Sequence, residues 1–90
     1  MSRFFRHIDG GYYRYVSLAR HADDQSDVVV YEHLWPFNPG VWVRAAAEFH
    51  SRFTEISAEQ VDQALKGNRE AAQEAVNQAK RERRIREGKA

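Results

Sequence analysis

Cysteine is absent from this 90-residue chain, so it can hold neither a disulfide framework nor a thiolate nucleophile, and a small domain without such staples suits a reducing cytosol. Long apolar runs are missing too. The longest aliphatic stretch, Val28 to Val30, is far too short to span a bilayer, and the opening MSRFFRHIDG has basic residues but no apolar leader core. A cytoplasmic protein with no membrane or targeting segment is the expectation. The two prolines fall in one short segment, and the five glycines form no phosphate-cradling loop, since Gly10-Gly11 reads as a two-residue turn. Ser2, Ser17, Ser26, Ser51 and Ser57 stand in no nucleophile-elbow motif. His7, His21, His33 and His50 show no zinc spacing, although His7-Ile8-Asp9 and His21-Ala22-Asp23 each set an imidazole and a carboxylate two residues apart. Neither a metal nor a cofactor is expected.

Basic charge is scarce over most of the chain. Residues 1–79 carry eight basic and eleven acidic side chains, whereas residues 80–90 carry six basic and two acidic. A nucleic-acid surface spread over the body is therefore disfavoured, and any electrostatic contact belongs to the tail.

What the chain does have is short aromatic and β-branched segments, and its length makes it one domain. Arg3 to Ile8 reads as a strand entering a hairpin at Asp9-Gly10-Gly11, and Tyr12 to Arg20 as its return. In that return strand Tyr13 and Tyr15 share one face and Val16 and Leu18 the other, a conflict that a bulge near Tyr15 would resolve. After the polar turn His21 to Ser26, the segment from Asp27 to Trp35 is the expected central strand, its valines calling for cover on both faces. Pro36 to Gly40 must be a loop, Val41 to Arg44 a fourth strand, and Thr54 to Ile56 a short last one. Between them Phe49 and Phe53, four residues apart, favour a turn of helix.

From Ser57 the pattern becomes helical. Ser57 and Gln60 form a capping box, and Ile56 and Val61 a hydrophobic staple. The stripe Ala58, Val61, Ala64, Leu65 ends at Gly67, after which Asn68 caps a second helix or the chain continues as one kinked helix. The second stripe, Ala72, Ala75, Val76 and Ala79, buries little area, so this helix needs the β domain, a partner or its own copy as a surface. Self-association through that face is one expectation.

Two groups of residues point toward ligands. The aromatics, eleven in all, exceed what one rim needs and most belong to the core, but Tyr31, Trp35 and Phe37 beside Arg44 form a candidate binding rim, with His7 and His21 as further ligand candidates. The run Lys80, Arg81, Arg83, Arg84 and Arg86 is the nucleic-acid candidate. A solvated helix end accounts for the run equally simply, because cations favour the negative end of the helix dipole and Glu82 and Arg86 make an i,i+4 pair. That simpler reading ranks above the nucleic-acid one.

The ordered string RHIDGGYYRYVSLARH, VVYEHLW and WVR, followed by Phe49, resembles a family of small bacterial proteins known as domain of unknown function 1653. The likeness runs from about Phe5 to Phe53. It rests on Phe5-Arg6-His7, Gly10 to Tyr13, Ala19 to His21, Val29 to Trp35 and Trp42 to Arg44, and it departs at Ala22-Asp23-Asp24, the Pro36 to Pro39 insertion and Ala45. The resemblance implies a small SH3-like antiparallel β-barrel over residues 1–56, making the chain α+β with a helical, basic-tailed extension over residues 57–90. It brings no activity or catalytic residues. A non-enzymatic binding module for a protein, nucleic-acid or small ligand is the leading reading. The alternatives are a nucleic-acid contact through the tail and a small hydrolase of a nucleotide-like substrate, with His7 or His21 as base and Arg44 holding an anion.

Overall fold

The computed structural model describes residues 2–88. Strand β1 (Arg3–His7) turns into β2 (Tyr12–Arg20) through Gly10 at φ 106°, a left-handed backbone that a Cβ would strain. From β2 the chain passes through β3 (Asp27–Trp35) and β4 (Val41–Ala45), then α1 (Ala46–Arg52), and returns in β5 (Phe53–Ile56). The bulge falls where the phase conflict placed it. Tyr15 pairs with Tyr31 and Ser17 with Val30, so Val16 is the extra residue and Leu18, opposite Val29, rejoins the face of Tyr13 and Tyr15.

The strands form one antiparallel sheet in the order β4-β3-β2-β1-β5, and it is open. The SH3-like closure implied by the family resemblance would need β4 to pair with β5. Instead α1 fills the ground between those two edges, with Phe49 fully buried and stacked on Phe53 at 4.2 Å. A helix thus covers the face that strand pairing would otherwise have enclosed. The middle strand is β2 rather than β3, because the closing strand β5 adds to β1 at the far side.

The core on this face consists of Phe5, Tyr13, Val29, Tyr31, Phe49 and Phe53. Two separate helices follow, α2 (Ala58–Leu65) and α3 (Arg69–Arg86). The capping box of α2 is present, Gln60 N donating to Ser57 Oγ at 3.2 Å and Ser57 N to Gln60 Oε1 at 2.9 Å. Asn68 caps α3 by accepting from Ala71 N at 2.9 Å.

What α3 lies on was not apparent from its alanines. Val76, 3% exposed, packs at the β1–β2 turn, where a Cβ on Gly10 would stand 3.5 Å from it. Ala72 and Ala79 are half-buried and Ala75 is exposed. The residues that dock the helix lie along one stripe, Arg69, Val76, Lys80 and Arg83. Arg69 donates to the Pro36 carbonyl at 2.7 Å and to Asn38 Oδ1 at 2.6 Å, while Arg83 meets Asp9 at 3.1 Å. The helix straps the two loops at one end of the sheet.

Candidate functional site

Between this strap and the sheet lies a cleft of about 230 Å³. The period of two along each strand puts Tyr31 with His33 on one face of β3 and Trp42 with Arg44 on the same face of β4, because Tyr31 is paired with Trp42. His7 and Tyr13 from β1 and β2 complete the floor, and Lys80 and Arg83 close it from α3. The cleft opens into an outer groove of about 350 Å³, which shares His33, Trp42 and Lys80 and adds Phe37, Asn38 and Gln73. Both spaces are of small-ligand size.

The floor is neutral and rich in donors. Burial, aided by Arg44, Arg83 and Arg52 against the pull of Asp9, pushes the His7 imidazole down to about 4. His7 Nδ1 accepts the Asp9 amide at 3.0 Å, so the proton of the neutral ring sits on Nε2. Burial and the neighbouring Tyr31 push the Tyr13 phenol up to about 12, and burial with Lys80 lowers His33. Arg44 Nε donates to the Tyr31 hydroxyl at 3.3 Å, which leaves that hydroxyl's own proton free to donate.

The cations differ in their engagement. Arg83 is committed to the buried Asp9 carboxylate, and Arg44 reaches Glu48 at 2.7 Å. Lys80 makes no ion pair among the described residues, and its ammonium stands 5.3 Å from the Phe37 ring centre. Such an array of Nε2–H, hydroxyl, guanidinium and ammonium groups favours an oxyanion.

Of the residues singled out from sequence, the fold gathers His7, Tyr31 and Arg44 in the cleft and Phe37 in the groove beside it. His21 is exposed in the β2–β3 turn, where its Nδ1 accepts from Asp23 N at 3.1 Å. Trp35 is half-buried at the end of β3 and lines neither space. Lys80 and Arg83 enter the cleft, while Arg81, Arg84 and Arg86 are exposed. Lys89, the last cation of the basic run, lies outside the described residues. His33 and Trp42 were missed as ligand candidates, although the alternations Tyr31-x-His33 and Trp42-x-Arg44 would have identified them. Among the described residues no three metal-ligating side chains stand together, and no helix is long and apolar enough to cross a membrane.

The burial of His7 has a measurable consequence. An unfolded chain returns the imidazole to about 6.5, so unfolding takes up a proton between that value and about 4. Stability from the neutral ring is therefore whole above pH 6.5 and is lost as the pH falls toward 4, by about 3 kcal/mol. Denaturant midpoints should fall across that window, and nuclear magnetic resonance should find His7 still neutral at pH 5.5. An imidazole that titrates near 6.5 in the folded protein would show that the floor is wet.

No curated protein and no solved structure matches the chain significantly. A family does match: the model for the protein of unknown function DUF1653 covers residues 3–64, and the chain belongs to that family.

Proposed function

We propose that this protein is a non-enzymatic binding module that takes a small oxyanion-bearing ligand into the cleft between its sheet and α3. Lys80 carries the reading. Its ammonium has no acidic partner among the described residues, yet it faces a space floored by the neutral donors His7, Tyr13 and Tyr31. An ammonium held over a low-dielectric, donor-lined space attracts anions more strongly than one on an open surface.

Binding is favoured over hydrolysis by the state of the imidazoles. His7 presents Nε2–H to the cleft rather than a free lone pair, and its depressed pKa leaves it a weak base. His21 is far from this floor, in an exposed turn. The tail reading also loses two of its five cations, since Lys80 and Arg83 face the cleft.

Calorimetric titration with inorganic phosphate tests the proposal. Binding should weaken with added salt and should fall about tenfold in Lys80→Ala, the scale of one charged hydrogen bond, while the exposed Arg84→Ala leaves it unchanged. Phosphate that fails to bind, or that binds all three proteins alike, would remove the cleft from consideration.

A further inference from the structure

The outer groove is built differently from the inner cleft. His33 lies between two tilted rings, with Phe37 centred 5.7 Å away at 41° and Trp42 5.5 Å away at 30°. Trp42 is 54% exposed, a large ring face left open beside the half-buried His33 and Phe37. Polar groups capable of reading a ring edge stand beside these aromatics. Asn38 spends its Oδ1 on Arg69 at 2.6 Å, which leaves its amide nitrogen as a donor, and Gln73 adds a second carboxamide from α3. Lys80 borders both spaces.

We infer that the cleft is a nucleotide site, in which a phosphate occupies the inner, donor-lined end and the base stacks in the groove on the exposed ring of Trp42, beside His33 and Phe37, with its edge toward Asn38 and Gln73. This rests on the oxyanion reading above and extends it. Three features select a nucleotide over a simple anion: a groove with the exposed ring of Trp42 in its wall, carboxamides at its edge, and a cation between groove and donor pocket. The inner end is blocked by His7, Tyr13 and Tyr31, each no more than 7% exposed. A chain of phosphodiesters therefore has no way through, and the phosphate is a terminal monoester. That monoester belongs either to a free mononucleotide or to the phosphorylated end of a strand.

Calorimetry on the full chain separates these cases, with inorganic phosphate, the four nucleoside 5′-monophosphates, and a dinucleotide with and without a 5′-phosphate as probes. At least one mononucleotide should bind about tenfold or more tightly than phosphate, and Trp42→Leu and Phe37→Leu should each remove about tenfold of that gain. Phosphate affinity should be the same in Phe37→Leu, whose side chain lines only the outer groove, as in the parent. Equal affinity for phosphate and every nucleotide, or a gain indifferent to both substitutions, overturns the nucleotide assignment and leaves the oxyanion reading standing. Failure of all probes, phosphate included, removes both. Tight binding of the 5′-phosphorylated dinucleotide identifies a strand end, binding of mononucleotides alone identifies free nucleotide, and either supports the site. A dinucleotide that binds equally well without its phosphate contradicts it.

Discussion

Replacing Arg83 with alanine is expected to lower stability by about 3 kcal/mol or more at pH 8, and by distinctly less at pH 5. The Asp9 side chain is 3% exposed and receives three contacts of 3.1 to 3.3 Å from one guanidinium. Removing that guanidinium strands a buried carboxylate, a loss of the order of 3–5 kcal/mol where nothing replaces the partner. A replacement is at hand once the ring is protonated, since His7 Nδ1, which in the neutral ring accepts the Asp9 amide, lies 3.4 Å from Asp9 Oδ2. In the native protein burial, with Arg44, Arg83 and Arg52, holds His7 neutral against Asp9. Deleting Arg83 removes one of those repulsions and leaves Asp9 without its stronger partner, so the imidazole pKa rises. The imidazole then takes up its proton at a higher pH than in the parent, so acidification costs the variant less than it costs the parent, and the difference between them narrows as the pH falls.

The reciprocal change should behave otherwise. Asp9→Asn removes the buried charge and leaves Arg83 with Glu87 at 3.2 Å and with water in reach. Its cost should be smaller and, between pH 8 and 5, less dependent on pH. Denaturant titrations of both variants at the two pH values measure the difference. In Arg83→Ala the amides of α3 should also exchange faster, because the helix meets the rest of the chain mainly through loops. An Arg83→Ala cost below about 1 kcal/mol at pH 8 would mean that the pair is no stronger than a surface salt bridge and does not hold the strap.

Much of this architecture was legible because its signals are local. Asp9-Gly10 marks a turn, the clash of phase at Tyr15 marks a bulge, and Ser57 with Gln60 marks a helix start; each depends on residues within a few positions of one another. Closure does not. Whether β4 meets β5 depends on what the intervening 7 residues do, and Phe49 and Phe53 fit either a continuing helix or a helix that ends between them. The structure takes the second course and stacks the rings across the junction.

The site divides in the same way. His7, Tyr31 and Arg44 were marked by chemistry, and strand alternation would have added His33 and Trp42. Trp35 was favoured for its place beside the proline loop, but only Phe37 of that pair faces the groove. The docking of α3 was obscured by hydrophobicity. Its alanines suggest a thin apolar face, whereas the stripe that meets the loops is Arg69, Val76, Lys80 and Arg83, one apolar residue among polar ones. A polar stripe reads as solvated until its partners are known, and Asp9, Pro36 and Asn38 are partners only in three dimensions. The family match ends at residue 64, so the floor belongs to the matched part of the chain and the strap does not.

Phe49→Ala is expected to be the most damaging substitution of a single apolar side chain. The ring is fully buried, stacked on Phe53 at 4.2 Å and 9°, edge-on to Phe5 at 5.0 Å and 5.5 Å from Tyr31. It is the buried residue of α1, and the only α1 side chain beside it against the core among the described residues is the small, partly buried Ala46. Truncating a buried phenylalanine costs about 3–5 kcal/mol, against a total that for this length is roughly 5–13 kcal/mol. In a closed barrel neighbouring strands would contract around the void. In this open sheet the two edges are held apart by α1 itself, so the cavity persists and the cost should lie toward the upper end. Phe49→Leu, which keeps the space filled with an apolar side chain, should recover most of the loss. Urea midpoints of the two variants distinguish the explanations. Equal losses would point to the aromatic contacts with Phe53 and Phe5 rather than to filled volume as what holds α1 down, and a small loss in both would mean that the open sheet does close when its plug is removed.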